Sequence, residues 1–420
     1  MTRIHKHLQR PPQINQINYL AVIKQETMQY HFDKIINRED TDSVKYDLRK
    51  LYFRKDDVIP LWVADMDFET PEFIVDAVKK RAEHPIYGYS IKSDSYHQAI
   101  INWVKESHGW EIQKDEISFS PGVVPGFTLA ILAFSKPGDR IVVQPPVYFP
   151  FFMAVEENGR KLVHNQLIEK DNYYSIDFVD LEKKLSHPKT TILLISNPHN
   201  PVGRVWKREE LEKMILLCEK YQVILLSDEI HSDLIFSDHR HIVAANINDS
   251  AKERTVTFMA PSKTFNMAGL GTSFLLIQDK KLIKRYDEIL QAYHLGMGNV
   301  FGNVALEAAY DQGRPWLNDL LDYLKKNVDF VDSFLKNHIP EITFAKPEAT
   351  YLLWLNCKSL SLNDEQLNNF FIHEAGLGLN KGSIFGKGGE GYMRMNIACP
   401  RAIIEKALKQ LLEAIKRERK

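Results

Sequence analysis

The chain has 420 residues, more than one hydrophobic core usually serves, so two lobes are expected. Hydrophobic residues make up 44% and charged residues 26%, and 22 Phe, 17 Tyr and 6 Trp supply ample surface to bury, which excludes a disordered chain. Fifty-four Lys and Arg against 55 Asp and Glu leave a net charge of −1, so there is no basic footprint for nucleic acid; three separated cysteines offer neither a disulfide framework nor a CxxC metal knuckle.

Residues 1–27 carry Arg3, Lys6, Arg10 and Lys24 and are spotted with Gln13, Asn15, Gln16 and Asn18. They lack the apolar core and cleavage site of a secretory signal, so a poorly ordered extension ahead of Met28 is expected. The longest apolar run, Gly122 to Phe134, is too short for a bilayer and contains Pro125. These features predict a soluble, cytoplasmic, enzyme-sized chain with no membrane partner.

Residues 28–71 are too few for a domain and are expected to join the C-terminal lobe. From 72 to 315 short apolar runs alternate with helical stretches such as Glu209–Lys220, the pattern of an α/β sheet with crossover connections. Glu116 to Gly126 reads as strand, glycine turn and a helix beginning near Phe127; backbone amides at such an entrance hold an anion. Strand Arg140–Gln144 runs into the aromatic stretch Pro145 to Phe151. Thr191–Ser196 runs into N-P-H-N-P-V-G, Val223–Ser227 into D-E-I-H, and Thr255–Met259 into A-P-S-K-T-F-N. Asp311 to Trp316 is a breaker cluster. Beyond it, residues 316–420 mix a helix through about Asn337, strands Ala349–Leu355 and Tyr392–Asn396, and a helix over Arg401–Arg419, predicting a smaller α+β lobe.

Ligands of parallel sheets sit beyond the carboxyl ends of the strands. If these strands are parallel, Asn200, Asp228, His231 and Lys263 converge there. That set suits a pyridine aldehyde: the lysine amine condenses with the aldehyde, and the carboxylate keeps the ring nitrogen protonated. Three of these residues also have a plainer reading. Asp228 with Glu229 could be a solvated strand end, Lys263 surface charge, and His231 a satisfied structural histidine. Gly386 to Gly391 (G-K-G-G-E-G) lacks the strand and the G-K-[ST] ending of a nucleotide loop and reads as a flexible loop ahead of Arg394. Asp65 and Asp67 have no third ligand nearby for a metal and are expected to fix a loop.

Six segments carry a resemblance: W-V-A-D-M-D-F (Trp62 to Phe68), Y-G-Y (Tyr87 to Tyr89), N-P-H-N-P-V-G-R-V-W (Asn197 to Trp206), S-D-E-I-H-S-D-L (Ser227 to Leu234), P-S-K-T-F-N-M-A-G-L (Pro261 to Leu270) and R-M-N-I-A-C-P-R (Arg394 to Arg401). From about Phe32 onward the chain resembles the fold-type-I pyridoxal-phosphate enzymes of the class I/II aminotransferase superfamily. Within them it is similar to the cystathionine β-lyase, or carbon–sulfur lyase, branch of the MalY/PatB type. The resemblance implies a large, mostly parallel-sheet α/β/α domain over 72–315 and a smaller α+β domain over 316–420. It makes Lys263 the Schiff-base lysine, Asp228 the partner of the ring nitrogen and Asn200 that of the phenolic oxygen. Tyr148 stacks on the ring, His231 faces the cofactor, and Gly122, Val123 and Val124 cradle the phosphate. Tyr87 reaches the phosphate from a second subunit, implying a homodimer. Arg394 grips the substrate carboxylate, with Ala64 and Asn200 alongside. Two positions depart from the pattern: Gly271 stands where an arginine often meets the phosphate, and Ala260 where a serine is common, leaving Ser262 as the phosphate-side hydroxyl. The implied reaction is α,β-elimination from L-cystathionine or other S-substituted cysteines, giving homocysteine or another thiol, pyruvate and ammonia, a step of methionine biosynthesis. Lys263, Asp228 and Tyr148 are the catalytic candidates. Transamination with a 2-oxo acid is the alternative, and a non-catalytic binding protein on the same fold is a third reading.

Overall fold

The computed structural model describes residues 30–419. The extension expected over residues 1–27 lies outside the described residues. The chain builds an α/β fold around a seven-stranded, mostly parallel sheet. In chain order its strands are β1 (Ile117–Ser120), β2 (Arg140–Val143), β3 (Lys161–His164), β4 (Thr190–Ser196), β5 (Ile224–Asp228), β6 (Thr255–Met259) and β7 (Ser273–Leu276). They lie in the order β1-β7-β6-β5-β4-β2-β3, and only β7 runs antiparallel to its neighbours. Strands β4, β5 and β6 are buried almost throughout, which is why they appear in sequence as unbroken apolar runs rather than alternating ones. At the carboxyl ends of β4 and β5, Ser196 pairs with Asp228, and Asp228 with Phe258 of β6, across the sheet.

Helix α1 (Val123–Phe134) begins at Val123 rather than near Phe127. Pro125 falls in its first turn, where no amide is needed, so the proline starts the helix instead of delaying it. Helix α2 (Arg208–Tyr221) starts where Glu210 reaches back to the Lys207 amide at 2.8 Å and stops at Gln222, in the left-handed conformation. It buries Leu211, Met214, Ile215, Leu217 and Cys218 against the sheet.

The breaker cluster at 311–316 is a helix junction. Helix α3 (Val300–Gln312) and helix α4 (Arg314–His338) are parted by Gly313 alone. A Cβ at Gly313 would overlap the Ala309 carbonyl and the Phe265 ring, while Pro315 again occupies a first turn. Beyond α4, strands β8 (Leu352–Asn356), β9 (Asn380–Lys381) and β10 (Tyr392–Asn396) form an antiparallel sheet in the order β8-β10-β9, followed by helix α5 (Arg401–Glu418). Trp354 on β8 stacks on Tyr392 of β10 at 5.1 Å, worth about 1 kcal/mol beyond the area buried. The glycine loop at 386–391 is a turn built on positive φ: Gly386, Gly388 and Gly391 have φ of +90°, +90° and +76°, and a Cβ at Gly389 would overlap the Gly382 carbonyl. Ile59–Pro60 pairs with Leu377–Gly378, so the segment before Glu72 lies against the C-terminal residues. Among the described residues no helix is long and apolar enough to cross a membrane.

Candidate active site

The carboxyl ends of β4, β5 and β6 open onto a cavity of about 190 Å³. Ser196 ends β4 and Asn200 follows it, Asp228 ends β5 with Ile230 and His231 just beyond, and Ser262 and Lys263 follow β6. Gly122, Val123 and Val124, at the N-terminus of α1, form another wall with Gly271 and Thr272. Tyr148 and Ala64 complete it. The parallel register thus brings together residues far apart in sequence, and the turn before α1 aims main-chain amides into the same space.

Asp228 and Glu229 leave β5 in opposite directions, and their surroundings separate their roles. Glu229, fully buried, accepts from Ser227 Oγ, Asn197 Nδ2 and the Ala244 amide and meets His241 Nε2 at 2.7 Å. It is a satisfied structural carboxylate. Asp228 lines the cavity, and its carboxylate accepts one hydrogen bond among the described residues, from the Ile230 amide at 3.2 Å. Burial pushes its pKa up to about 7, against the smaller opposing pull of Lys263. His231 is driven down to about 3 by burial and then by Lys263 and Arg394, so its ring is neutral; its Nδ1 is buried without a partner among the described residues.

Lys263 Nζ donates to the Ala64 carbonyl at 2.6 Å. Burial brings the lysine down to about 8, with Asp65 and Asp228 opposing that shift and Arg394 reinforcing it. Ala64 belongs to the Trp62–Phe68 loop, which three polar side chains fix. Asn266, three residues past the lysine, bonds the Met66 amide and the Met66 and Phe68 carbonyls. Asn396 of β10 holds the Val63 and Asp65 carbonyls at 2.6 Å each, and Arg394 holds that of Trp62 at 2.8 Å. Asp65 and Asp67 anchor the same loop through charge: Arg38 meets both, and Lys45, fully buried, lies 2.8 Å from Asp67 and 3.6 Å from Asp65.

Arg394 sits behind the cavity wall. Its Nη1 donates to Asn200 Oδ1 at 3.1 Å and its Nη2 to Asn380 Oδ1 at 2.7 Å; Nε is buried without a partner among the described residues, and burial lowers the guanidinium to about 10. Tyr148 titrates above its ordinary range because of burial and then Asp228. Ala260 is buried and does not line the cavity, whereas Ser262 does. Tyr87 is not brought to the cavity: it is 58% exposed, and its hydroxyl donates to the Ala82 carbonyl. Tyr351 escapes the sequence reading. It is fully buried just ahead of β8, and its hydroxyl donates at 2.9 Å to the carbonyl that accepts from Lys263.

The site fits pyridoxal phosphate on its donor set: a lysine amine for an aldehyde, a buried carboxylate short of donors for a pyridinium nitrogen, and helix-entrance amides for a phosphate. The partnerless imidazole and guanidinium nitrogens mark polar capacity left for a ligand. Residues 56–411 match the model of aminotransferase class I and II. The chain belongs to that family. It is 43% identical over 385 residues to cystathionine beta-lyase PatB of Bacillus subtilis, covering 92% of this chain and all of that one. Cystalysin of Treponema denticola, solved with a pyridoxal 5′-phosphate cofactor, superposes with a TM-score of 0.90 at 38% identity over 93% of this chain and 100% of that one. The PLP-bound C–S lyase of Staphylococcus hominis superposes with a TM-score of 0.85 at 35% identity, covering 92% and 98%.

Proposed function

We propose that the chain is a pyridoxal-phosphate-dependent carbon–sulfur β-lyase, cleaving L-cystathionine or related S-substituted cysteines with water to a thiol, pyruvate and ammonia. The observation that carries this reading is the meeting of Lys263, Asp228, Asn200 and the α1 amides around one cavity, in a chain alike over nearly its whole length to lyases of that kind. Lys263 would hold the cofactor aldehyde, Asp228 its ring nitrogen, Asn200 its phenolic oxygen, and Tyr148 and His231 its ring. Gly122, Val123, Val124 and Ser262 would hold its phosphate. Bound there, the group supplies an electron-accepting ring that stabilises negative charge at the substrate Cα.

The chain's own residues then divide the work. Arg394, with its free Nε, and the Ala64 and Asn200 flank take the substrate carboxylate. Asp228, charged beside a protonated ring, keeps the proton on the ring nitrogen. Lys263, as the neutral amine that its low proton affinity allows, removes the Cα proton. Electrons of that C–H bond form the Cα–Cβ double bond as the Cβ–S bond breaks and the sulfur leaves with its electron pair. Tyr87 is assigned to the phosphate of a second copy in a homodimer, and the setting is cytoplasmic methionine synthesis.

The test is pyruvate formation from L-cystathionine by the cofactor-loaded protein, with and without a 2-oxo acid. Pyruvate and free thiol in equal amounts, independent of the oxo acid, support the reading. Turnover that requires the oxo acid replaces it with transamination.

A further inference from the structure

The Ala64 carbonyl has two side-chain donors, and they come from separate parts of the chain. Lys263 Nζ lies 2.6 Å from it and Tyr351 Oη 2.9 Å. Tyr351 is held rigidly: it is fully buried, its ring meets that of His231 edge-on at 6.1 Å, and Thr350 before it adopts φ +71°, a left-handed conformation costly for a β-branched residue. The carbonyl is equally fixed, because Asn396 ties the residues on either side of Ala64.

We propose that Tyr351 is a positioning residue for Lys263: by donating to the acceptor of the free lysine it weakens that acceptor for an ammonium and keeps the amine in its neutral, proton-accepting form. Two donors on one oxygen compete for the same electron density. The hydroxyl proton, positively polarised, also points toward the oxygen that the ammonium approaches, so it lies nearer the lysine nitrogen than the phenolic oxygen does. Both effects disfavour the charged lysine. The other groups facing Lys263 are Asp65 and Asp228, which favour the ammonium, and Arg394, which opposes it; the neutral His231 lines the same wall. Tyr351 therefore works in the same direction as burial and Arg394, against the two carboxylates.

The inference takes its catalytic meaning from the lyase reading, but its test needs neither turnover nor cofactor, so the two can fail separately. In cofactor-free protein, Lys263 is acetylated with trace acetic anhydride from pH 6 to 10, and its peptide is quantified by mass spectrometry against the unfolded chain. Tyr351→Phe keeps the ring and removes the hydroxyl; the labelling midpoint is expected to rise by about 0.5–1 pH unit, a threefold to tenfold smaller neutral fraction at neutral pH. Site-specific 3-fluorotyrosine at position 351, a stronger donor of unchanged shape, is expected to move the midpoint down. A Tyr351 that served packing alone would change melting temperature and leave both midpoints in place. An unmoved or lowered midpoint in Tyr351→Phe, or an upward shift with fluorotyrosine, overturns the proposal; should the phenylalanine variant not fold, the fluorotyrosine arm decides.

Discussion

Asp228→Asn is expected to stabilise the cofactor-free protein and cripple the enzyme, and the size of the first effect follows from burial. Asp228 is 4% exposed with one protein donor, and its folded-state pKa stands at about 7 against an ordinary 3.8. A raised carboxylate pKa means that the folded chain holds a proton the unfolded chain releases between pH 4 and 7. Stability is therefore fully present below pH 4 and is lost as pH rises through 7. About 3 units at 1.36 kcal/mol each give about 4 kcal/mol of cost above pH 7, which the neutral, isosteric asparagine does not bear. With about 2.1 cal/mol/K of unfolding entropy per residue, that is an apparent Tm about 4–5 °C higher for the variant at pH 8, closing to nothing at pH 4. Thermal melts of cofactor-free protein at pH 4, 5, 6, 7 and 8 measure it. Addition of pyridoxal phosphate should then stabilise the wild type more than the variant, and pyruvate release should fall at least about a hundredfold, from a charge-assisted bond worth about 3 kcal/mol. A variant no more stable than wild type at pH 8, or shifted equally at every pH, refutes the claim that Asp228 is a strained charge awaiting a cationic partner.

Other substitutions separate the remaining roles. Lys263→Ala is expected to reduce pyruvate release from L-cystathionine by at least about a thousandfold, the upper range for a positioned base, while the fold persists by circular dichroism; residual turnover within tenfold of wild type would remove Lys263 from the chemistry. Arg394→Lys replaces a planar fork by a point charge and is expected to raise KM about ten- to a hundredfold with kcat within a few fold, as for loss of uniform carboxylate binding; a fall in kcat alone contradicts the assignment. Lys45→Met leaves Asp67 buried with Arg38 as its only cation and is expected to cost about 3–5 kcal/mol by denaturant unfolding. Much of that should return in the double variant with Asp67→Asn, and additive losses would show that the pair does not interact.

Much of the fold was legible because β4, β5 and β6 are buried almost throughout and run directly into segments that carry the polar residues. The stretches Thr255–Met259 and Tyr392–Asn396 match the observed strands residue for residue. Prolines misled in one consistent way. Pro125 and Pro315 look like interruptions in sequence, yet each occupies the first turn of a helix, where a missing amide costs nothing, so a helix start was read late and a helix junction was read as a break. Strand β8 begins at Leu352 rather than at Ala349 because Thr350 takes a left-handed φ that no pattern of residue types announces.

The cavity residues on the strand ends could be found from sequence because the chemistry there is carried by side chains of distinctive type at the ends of distinctive strands. Tyr351 could not. Its partner is a main-chain carbonyl 287 residues away, and an oxygen that every residue possesses leaves no signature. What fixes that oxygen is in turn spread over Asn396 and Asn266, which read as ordinary polar residues until the loop from Trp62 to Phe68 is folded onto them, and Arg394, which the resemblance marks for a substrate carboxylate and not for this loop. The lysine's setting is thus built from the backbone of one segment and four side chains from three others. That is why its type and place were legible while the group proposed to tune its proton was not.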